Sequence, residues 1–232
     1  EGHVFYKAAN PKTGNMWDVW VFHHGGAYYL YSLCAVDQVR GKPWPPNGWA
    51  TWNNYSLATS TDGVNWTEVG PVLAKDRGVK WIGTGSTWRN PAPGGRPAFQ
   101  MNYSCCAGRK QSIFFAQSDD LIHWTKCGHG SEFVPDERWY QPNGAGRWDC
   151  IWAIPREGGG LYGYWSATPK PGAGGLFGFG ESLDGITWKA LEPPKVEGVG
   201  VGDVGAIEKI GDRYVMLYGL DMRMVTLVAD KP

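Results

Sequence analysis

Three aspartates, Asp18, Asp149 and Asp203, each stand at the head of an apolar run, in "DVWVFHHGGAYYLYSL", "DCIWAIPREGGGLYGYW" and "DVGAIEKIGDRYVMLYG". A lone carboxylate in such a place caps a turn or a strand. Three that converge on one point repel each other unless the site uses that repulsion to hold a proton. Carboxyls whose pKa values are driven apart are the equipment for cleaving a glycosidic bond. One stays protonated for the leaving oxygen while another stays ionised to activate water or attack the sugar carbon. Trp17, Trp20, Trp88 and Trp148 lie nearby in sequence and could offer flat faces to sugar rings, although each singly also suits a core. His23, Arg89 and Arg147 are further candidates for substrate contacts. Glu208 is a reserve for the acid, and its odd offset places it on the face of Asp203 only if that strand bulges.

Positioning such residues requires an architecture, and the chain supplies a repeat. "SLATSTDGVNW", "FFAQSDDLIHW" and "GFGESLDGITW" each join a short strand to a Ser, an acidic turn with Asp62, Asp120 or Asp184, and a Trp. The three Trp residues, Trp66, Trp124 and Trp188, recur at intervals of about 60. Earlier strands precede each turn, "RPAFQMNYS" serving in the second repeat. In three places a Gly-containing turn, at Gly25-Gly26, Gly158 to Gly160 and Gly211-Asp212, links two strands as a hairpin. The repeating unit is therefore an antiparallel sheet of three or four strands. Sheets of that size bury both faces when they pack radially around an axis, which predicts an all-β propeller in one domain over residues 1–232. Its blades fall at roughly 15–75, 76–135, 136–198 and 199–232, the last incomplete. The Ser and Asp are expected to bond turn backbone and the Trp to pack between neighbouring sheets. In a propeller the first strand of each blade lines the central channel, so the three aspartates are expected around one funnel.

With those residues in place, the sequence resembles the five-bladed propeller glycosidases, especially glycoside hydrolase family 43 and its relatives in families 32, 62 and 68. The resemblance implies that Asp18 is the general base, or the nucleophile in a retaining enzyme. It implies that Asp149 orients the acid, raises its pKa and contacts sugar hydroxyls, and that Asp203 donates the proton. It also implies inversion, with carboxyls roughly 6.5 to 9.5 Å apart rather than about 5, and a pentose or furanose-type sugar as substrate. Few motif letters agree. Val19 and Cys150 stand where the family commonly has Pro, and Asp203 with Val204-Gly205 stands where it commonly has Glu. The fifth blade is unaccounted for, so a further segment or a second chain would complete the ring, or the ring is smaller.

Two other readings fit parts of the pattern. Sialidases carry a similar Asp-containing turn, one residue longer between Asp and Trp, but their arginine triad has at most Arg89 and Arg147 as counterparts here. A non-catalytic propeller binding glycans or a protein would use the aspartates as loop anchors. Composition excludes more. Lys plus Arg equals Asp plus Glu at 22 each, so no basic field draws nucleic acid or an anionic membrane. The apolar runs fall well short of the roughly 20 residues that span a bilayer. Adjacent His23 and His24 point to opposite strand faces and do not share a metal ion, so no metal and no cofactor is expected. "GTGST" at 83–87 and "GVGVGDVG" at 198–205 open no helix, which removes the nucleotide reading.

Compartment signals are weak. The five Cys, at 34, 105, 106, 127 and 150, form no CxxC pair and leave at least one unpaired within the chain. Asn54, Asn65 and Asn102 head glycosylation sequons. A start at Glu1 rather than Met suggests a trimmed chain or a removed leader, and together these features point to a secreted or periplasmic protein.

Overall fold

The computed structural model describes residues 6, 8–9, 14–35, 52–107, 110–128, 130–221 and 223–232. Among them every regular element is a strand, and the strands form four antiparallel sheets. The first contains β1 (Asn15–His24), β2 (Ala27–Ala35), β3 (Asn54–Ser60) and β4 (Thr67–Ala74). The second contains β5 (Trp81–Arg89), β6 (Phe99–Ala107), β7 (Lys110–Ser118) and β8 (Thr125–Lys126). The third contains β9 (Trp148–Pro155), β10 (Leu161–Ala167), β11 (Gly178–Ser182) and β12 (Lys189–Leu191). The fourth contains β13 (Asp203–Ile210), β14 (Arg213–Leu220) and β15 (Arg223–Ala229). In each sheet the strands pair in chain order. The arrangement is a β-propeller, and its four blades agree with a five-bladed ring that lacks one.

Local chemistry explains these elements. Gly25 and Gly26 both take positive φ, 58° and 76°, as the tight turn between β1 and β2 demands. The repeated acidic turns join the third and fourth strands of three blades. Ser60 Oγ donates to Asp62 Oδ1, which accepts the N–H groups of Val64 and Asn65 at 2.8 and 2.7 Å. Ser118–Asp120 and Ser182–Asp184 repeat that scheme. The residue after each Asp takes positive φ: Gly63 at 74°, Leu121 at 66° and Gly185 at 77°. Leu121 tolerates this left-handed conformation because its side chain is fully buried and its carbonyl accepts the Tyr31 hydroxyl at 2.6 Å.

Between blades, aromatic side chains make the core. Trp20, Tyr31, Tyr55 and Leu57 of the first blade pack on Ile82, Met101 and Tyr103 of the second. Trp88, Ile113 and Phe115 pack on Trp148, Ile151 and Trp165 of the third. Ile154, Tyr164 and Phe177 pack on Val204, Met216 and Tyr218 of the fourth. Trp124 and Trp188 join the first and second of these clusters, as expected of the repeat. Trp66 instead has Tyr6 as its ring neighbour, with centroids 6.0 Å apart. Three clusters thus join four blades, and among the described residues none joins the fourth to the first. The two facing sheets accordingly expose Val19 and Val21 on one side and Leu217, Met224 and Val228 on the other.

Several expectations change on this frame. The first strand of the second blade is β5, which contains the "GTGST" run and carries no acid at its head. The Asn102 sequon is closed, because Asn102 is fully buried and bonded to Ser86 and the Ile151 carbonyl. Asn65 is exposed, but its amide donates to Asp62 Oδ2 at 2.7 Å. Cys34, Cys127 and Cys150 are free thiols.

Candidate active site

Each innermost strand carries a β-bulge near its start. The register of β1 on β2 skips Asp18, that of β5 on β6 skips within Ile82–Gly85, that of β9 on β10 within Asp149–Trp152, and that of β13 on β14 at Gly205. An extra residue at one place in four strands bends each strand and re-aims the side chains beside it. Asp18 itself takes a φ of 35° and Cys150 one of 51°, a conformation uncommon for non-glycine residues and found where surrounding contacts impose it. The aspartates therefore sit in or beside bulges and not simply ahead of the strands: Asp18 is the fourth residue of β1, Asp149 the second of β9 and Asp203 the first of β13.

The bulges bring the three together. Thr84, from the β5 bulge, donates its hydroxyl to Asp18 Oδ2. Ser104 of β6 donates to Asp149 Oδ1. Arg147 reaches both remaining acids, with Nη1 bonded to Asp203 Oδ1 and Nη2 3.4 Å from Asp149 Oδ2. Burial holds the Cys150 thiol in its neutral form, and Asp149, Asp18 and Asp203 add to the effect while Arg147 opposes it.

The acids differ in setting. Asp149 is buried, and desolvation raises its pKa, with Asp18 adding to the rise and the Ser104 hydroxyl and Arg147 opposing it. Asp18 is exposed, and the Asp203 side chain is 55% exposed and clamped by Arg147. Removing Asp149 from water disfavours its ionised form, so it is the carboxyl best placed to keep a proton.

A buried polar frame holds Asp149. Asn102 grips Ile151 from both sides, donating to its carbonyl at 2.8 Å and accepting its N–H at 3.1 Å, and Ser86 donates to the same carbonyl. Gly83 makes room: a Cβ there would lie 2.9 Å from the Trp81 ring and 3.4 Å from Asp149 Oδ1. The Tyr55 hydroxyl fixes the Gly83 carbonyl at 2.5 Å. On the other side Ser166 Oγ accepts the Val204 N–H at 3.0 Å and ties the head of β13 to the third blade.

The structure separates the remaining candidates. Arg147 belongs to the site. Trp17, 51% exposed and beside Asp18, is the one proposed platform with a free face. Trp20, Trp88 and Trp148 are core residues, at most 3% exposed, and present no ring to a sugar. His23 is exposed against Tyr28 near the β1–β2 turn, away from the acids. The β13 bulge does put Glu208 on the face of Asp203, but roughly 13 Å further along the strand. It lines a different cavity with Arg89, so it is not the acid of this site. Thr84, Ser104 and Gly83 were missed. Glycine inside a strand marks a bulge or a close approach, and that signal was present in "GTGST". No group of His, Cys, Asp and Glu suited to a metal occurs among the described residues.

No protein-family model and no curated protein matches the chain. Its fold does match solved structures. Fructan 1-exohydrolase IIa from Cichorium intybus superposes with a TM-score of 0.66 at 17% identity, over 94% of this chain and 42% of that one. The family 43 β-xylosidase/α-arabinofuranosidase CoXyl43, from a compost microbial metagenome, gives 0.65 at 12% identity, over 95% and 76%. The β-1,2-mannobiose phosphorylase of Listeria innocua gives 0.61 at 14%, over 93% and 58%. The chain thus has the fold of the propeller glycoside hydrolases, and it spans well under half of the chicory enzyme.

Proposed function

We propose that the chain hydrolyses a glycosidic bond at the funnel formed by Asp18, Asp149, Asp203 and Arg147. The observation that carries this reading is the joining of acids from three blades at strand bulges, one buried and raised, one exposed, one neutralised by arginine. Asp18 accepts the proton of the attacking water, with Thr84 orienting its carboxylate. Asp149 delivers a proton to the leaving oxygen. Asp203 holds Arg147 and, with it, the hydroxyls of the sugar. This exchanges the roles that family resemblance suggests for Asp149 and Asp203, because Asp203 is half exposed and makes the closer contact to the Arg147 guanidinium, whereas Asp149 is buried and desolvation outweighs its longer contact to Arg147. Trp17 provides the ring face.

A pentose or furanose-type sugar and inversion of configuration complete the proposal. The two glycosidases named above act, by their descriptions, on fructan or on xylosyl and arabinofuranosyl bonds, which supports that sugar class. The test is sugar release from aryl pentosides, aryl furanosides and the parent oligosaccharides, with Asp18→Asn as control and the product anomer read by NMR. Release that Asp18→Asn abolishes supports the reading, and tight glycan binding without turnover replaces it with a binding propeller. If phosphate is required and a sugar phosphate forms, the reaction is phosphorolysis.

A further inference from the structure

The central hollow has a second end. A cavity of about 500 Å3 lies beyond the acids, lined by Trp20 to Phe22 of β1, Thr87 to Pro91 in and just after β5, Trp152, Ala153, Pro155 and Arg156 along and just after β9, and Glu208 of β13. In each of the four strands these residues follow the acidic level by two or more positions, so the cavity opens toward the opposite mouth.

Its walls mix aromatic and apolar side chains with the polar Thr87 and Asn90, and carry one unneutralised charge on each side. The Arg89 guanidinium lies over the rings of Phe22 and Phe99, 5.9 Å from each centroid, and makes no ion pair among the described residues. Glu208, across the hollow, has a raised pKa whose cause is burial alone, and it too has no ion-pair partner among the described residues. Arg156, by contrast, is occupied by Glu181 at 3.2 Å. Arg89 and Glu208 line one cavity yet do not touch, which leaves a donor pole and an acceptor pole separated by apolar wall.

That pattern selects its ligand. A purely apolar ligand would leave both charges desolvated and unpaired, which is costly. A sugar ring has apolar faces and a rim of hydroxyls that accept at one end and donate at the other. The volume also falls within the range of small-molecule pockets. We propose that this cavity is a second, non-catalytic saccharide site, where one ring lies between Phe22 and Trp152 with its hydroxyls bonded by Arg89 and Glu208. The proposal does not rest on hydrolysis at the other mouth.

The test uses the Asp18→Asn protein, to prevent turnover, and titrates it calorimetrically with xylose, arabinose, fructose, mannose and galactose. For the sugar that binds, Arg89→Met and Glu208→Gln should each weaken one class of sites by about tenfold or more. Asp203→Asn should leave that class intact. A measurement without cavity variants accompanies it: the same sugar should slow phenylglyoxal modification of Arg89 in the parent protein, as read by peptide mass. Absence of binding by every sugar, isotherms indifferent to both substitutions, or Arg89 modified at the same rate with and without saturating sugar would each overturn the assignment.

Discussion

Asp149→Asn is the most direct probe of the proton assignment. The side chain keeps its size and its Ser104 contact, so the frame around Ile151 is retained, but it can no longer deliver a proton. A positioned general acid contributes about 100- to 10,000-fold, or roughly 3 to 5 kcal/mol of barrier. That loss applies only where the leaving group needs protonation. Oligosaccharides and alkyl glycosides should therefore lose two to four decades of kcat/KM, while a dinitrophenyl glycoside, whose leaving group departs as a stable anion, should lose little. The alkaline limb of the pH profile should vanish with the same substitution. Stability offers an independent check of its sign. Burial raises the Asp149 pKa above the usual aspartate value, so the contribution to folding is complete below the unfolded value and is lost as pH rises through the folded one. The neutral Asn variant should match the parent at acid pH and melt higher than it toward neutral pH. Equal losses on both kinds of substrate, or leaving-group dependence that appears in Asp203→Asn instead, would refute the assignment.

Removing the positive charge with Arg147→Met should move the alkaline limb of kcat/KM to higher pH. The opposite charge normally lowers a nearby carboxyl by 1 to 3 units, and the half-exposed guanidinium places the expectation near about 1. A shift to lower pH contradicts it. In the second strand pair of the third blade, a Cβ at Gly178 would lie 2.1 Å from Trp165 Nε1. Gly178→Ala should cost about 1 to 3 kcal/mol in urea unfolding. At the first acidic turn, bonds from the Asn65 N–H and side chain, then from the Val64 N–H and Ser60, hold the Asp62 carboxyl well below the usual range. Its contribution is present above the unfolded value near 3.8 and is lost as pH falls toward the folded one. Asp62→Ala should thus lower Tm at neutral pH, with the difference closing in acid.

The blade rhythm was legible because each blade repeats a chemically demanding turn. A Ser and an Asp that together satisfy turn backbone leave a spacing that single residues betray, and the Trp that follows supplies packing. The convergence of Asp18, Asp149 and Asp203 followed from that rhythm, since equivalent positions in repeated strands meet at the axis. The β5 strand was not legible in the same way. Its Gly83 and Gly85 are small because the Trp81 ring, Tyr55 and the Asn102 carbonyl approach closely, and closeness to another blade leaves no periodic signature. The Trp residues misled for a related reason: a ring that stacks on sugar and a ring that fills an interblade core are the same letter. Only burial separates Trp17 from Trp20, Trp88 and Trp148. The pairing of Arg147 with two acids was equally hidden, because it depends on where β13 docks on β9.

The polar links of the site follow the packed interfaces of the ring. Thr84 to Asp18 crosses from the second blade to the first, Ser104 to Asp149 from the second to the third, and Arg147 to Asp203 from the third to the fourth. Each crossing lies over one of the three aromatic clusters that join neighbouring blades. Every acid is therefore positioned by a blade interface whose apolar contacts are already made, and none depends on a contact between the fourth blade and the first. Those two blades expose Val19 and Val21 on one and Leu217 and Val228 on the other, and Val21 also lines the cavity that holds Arg89 and Glu208.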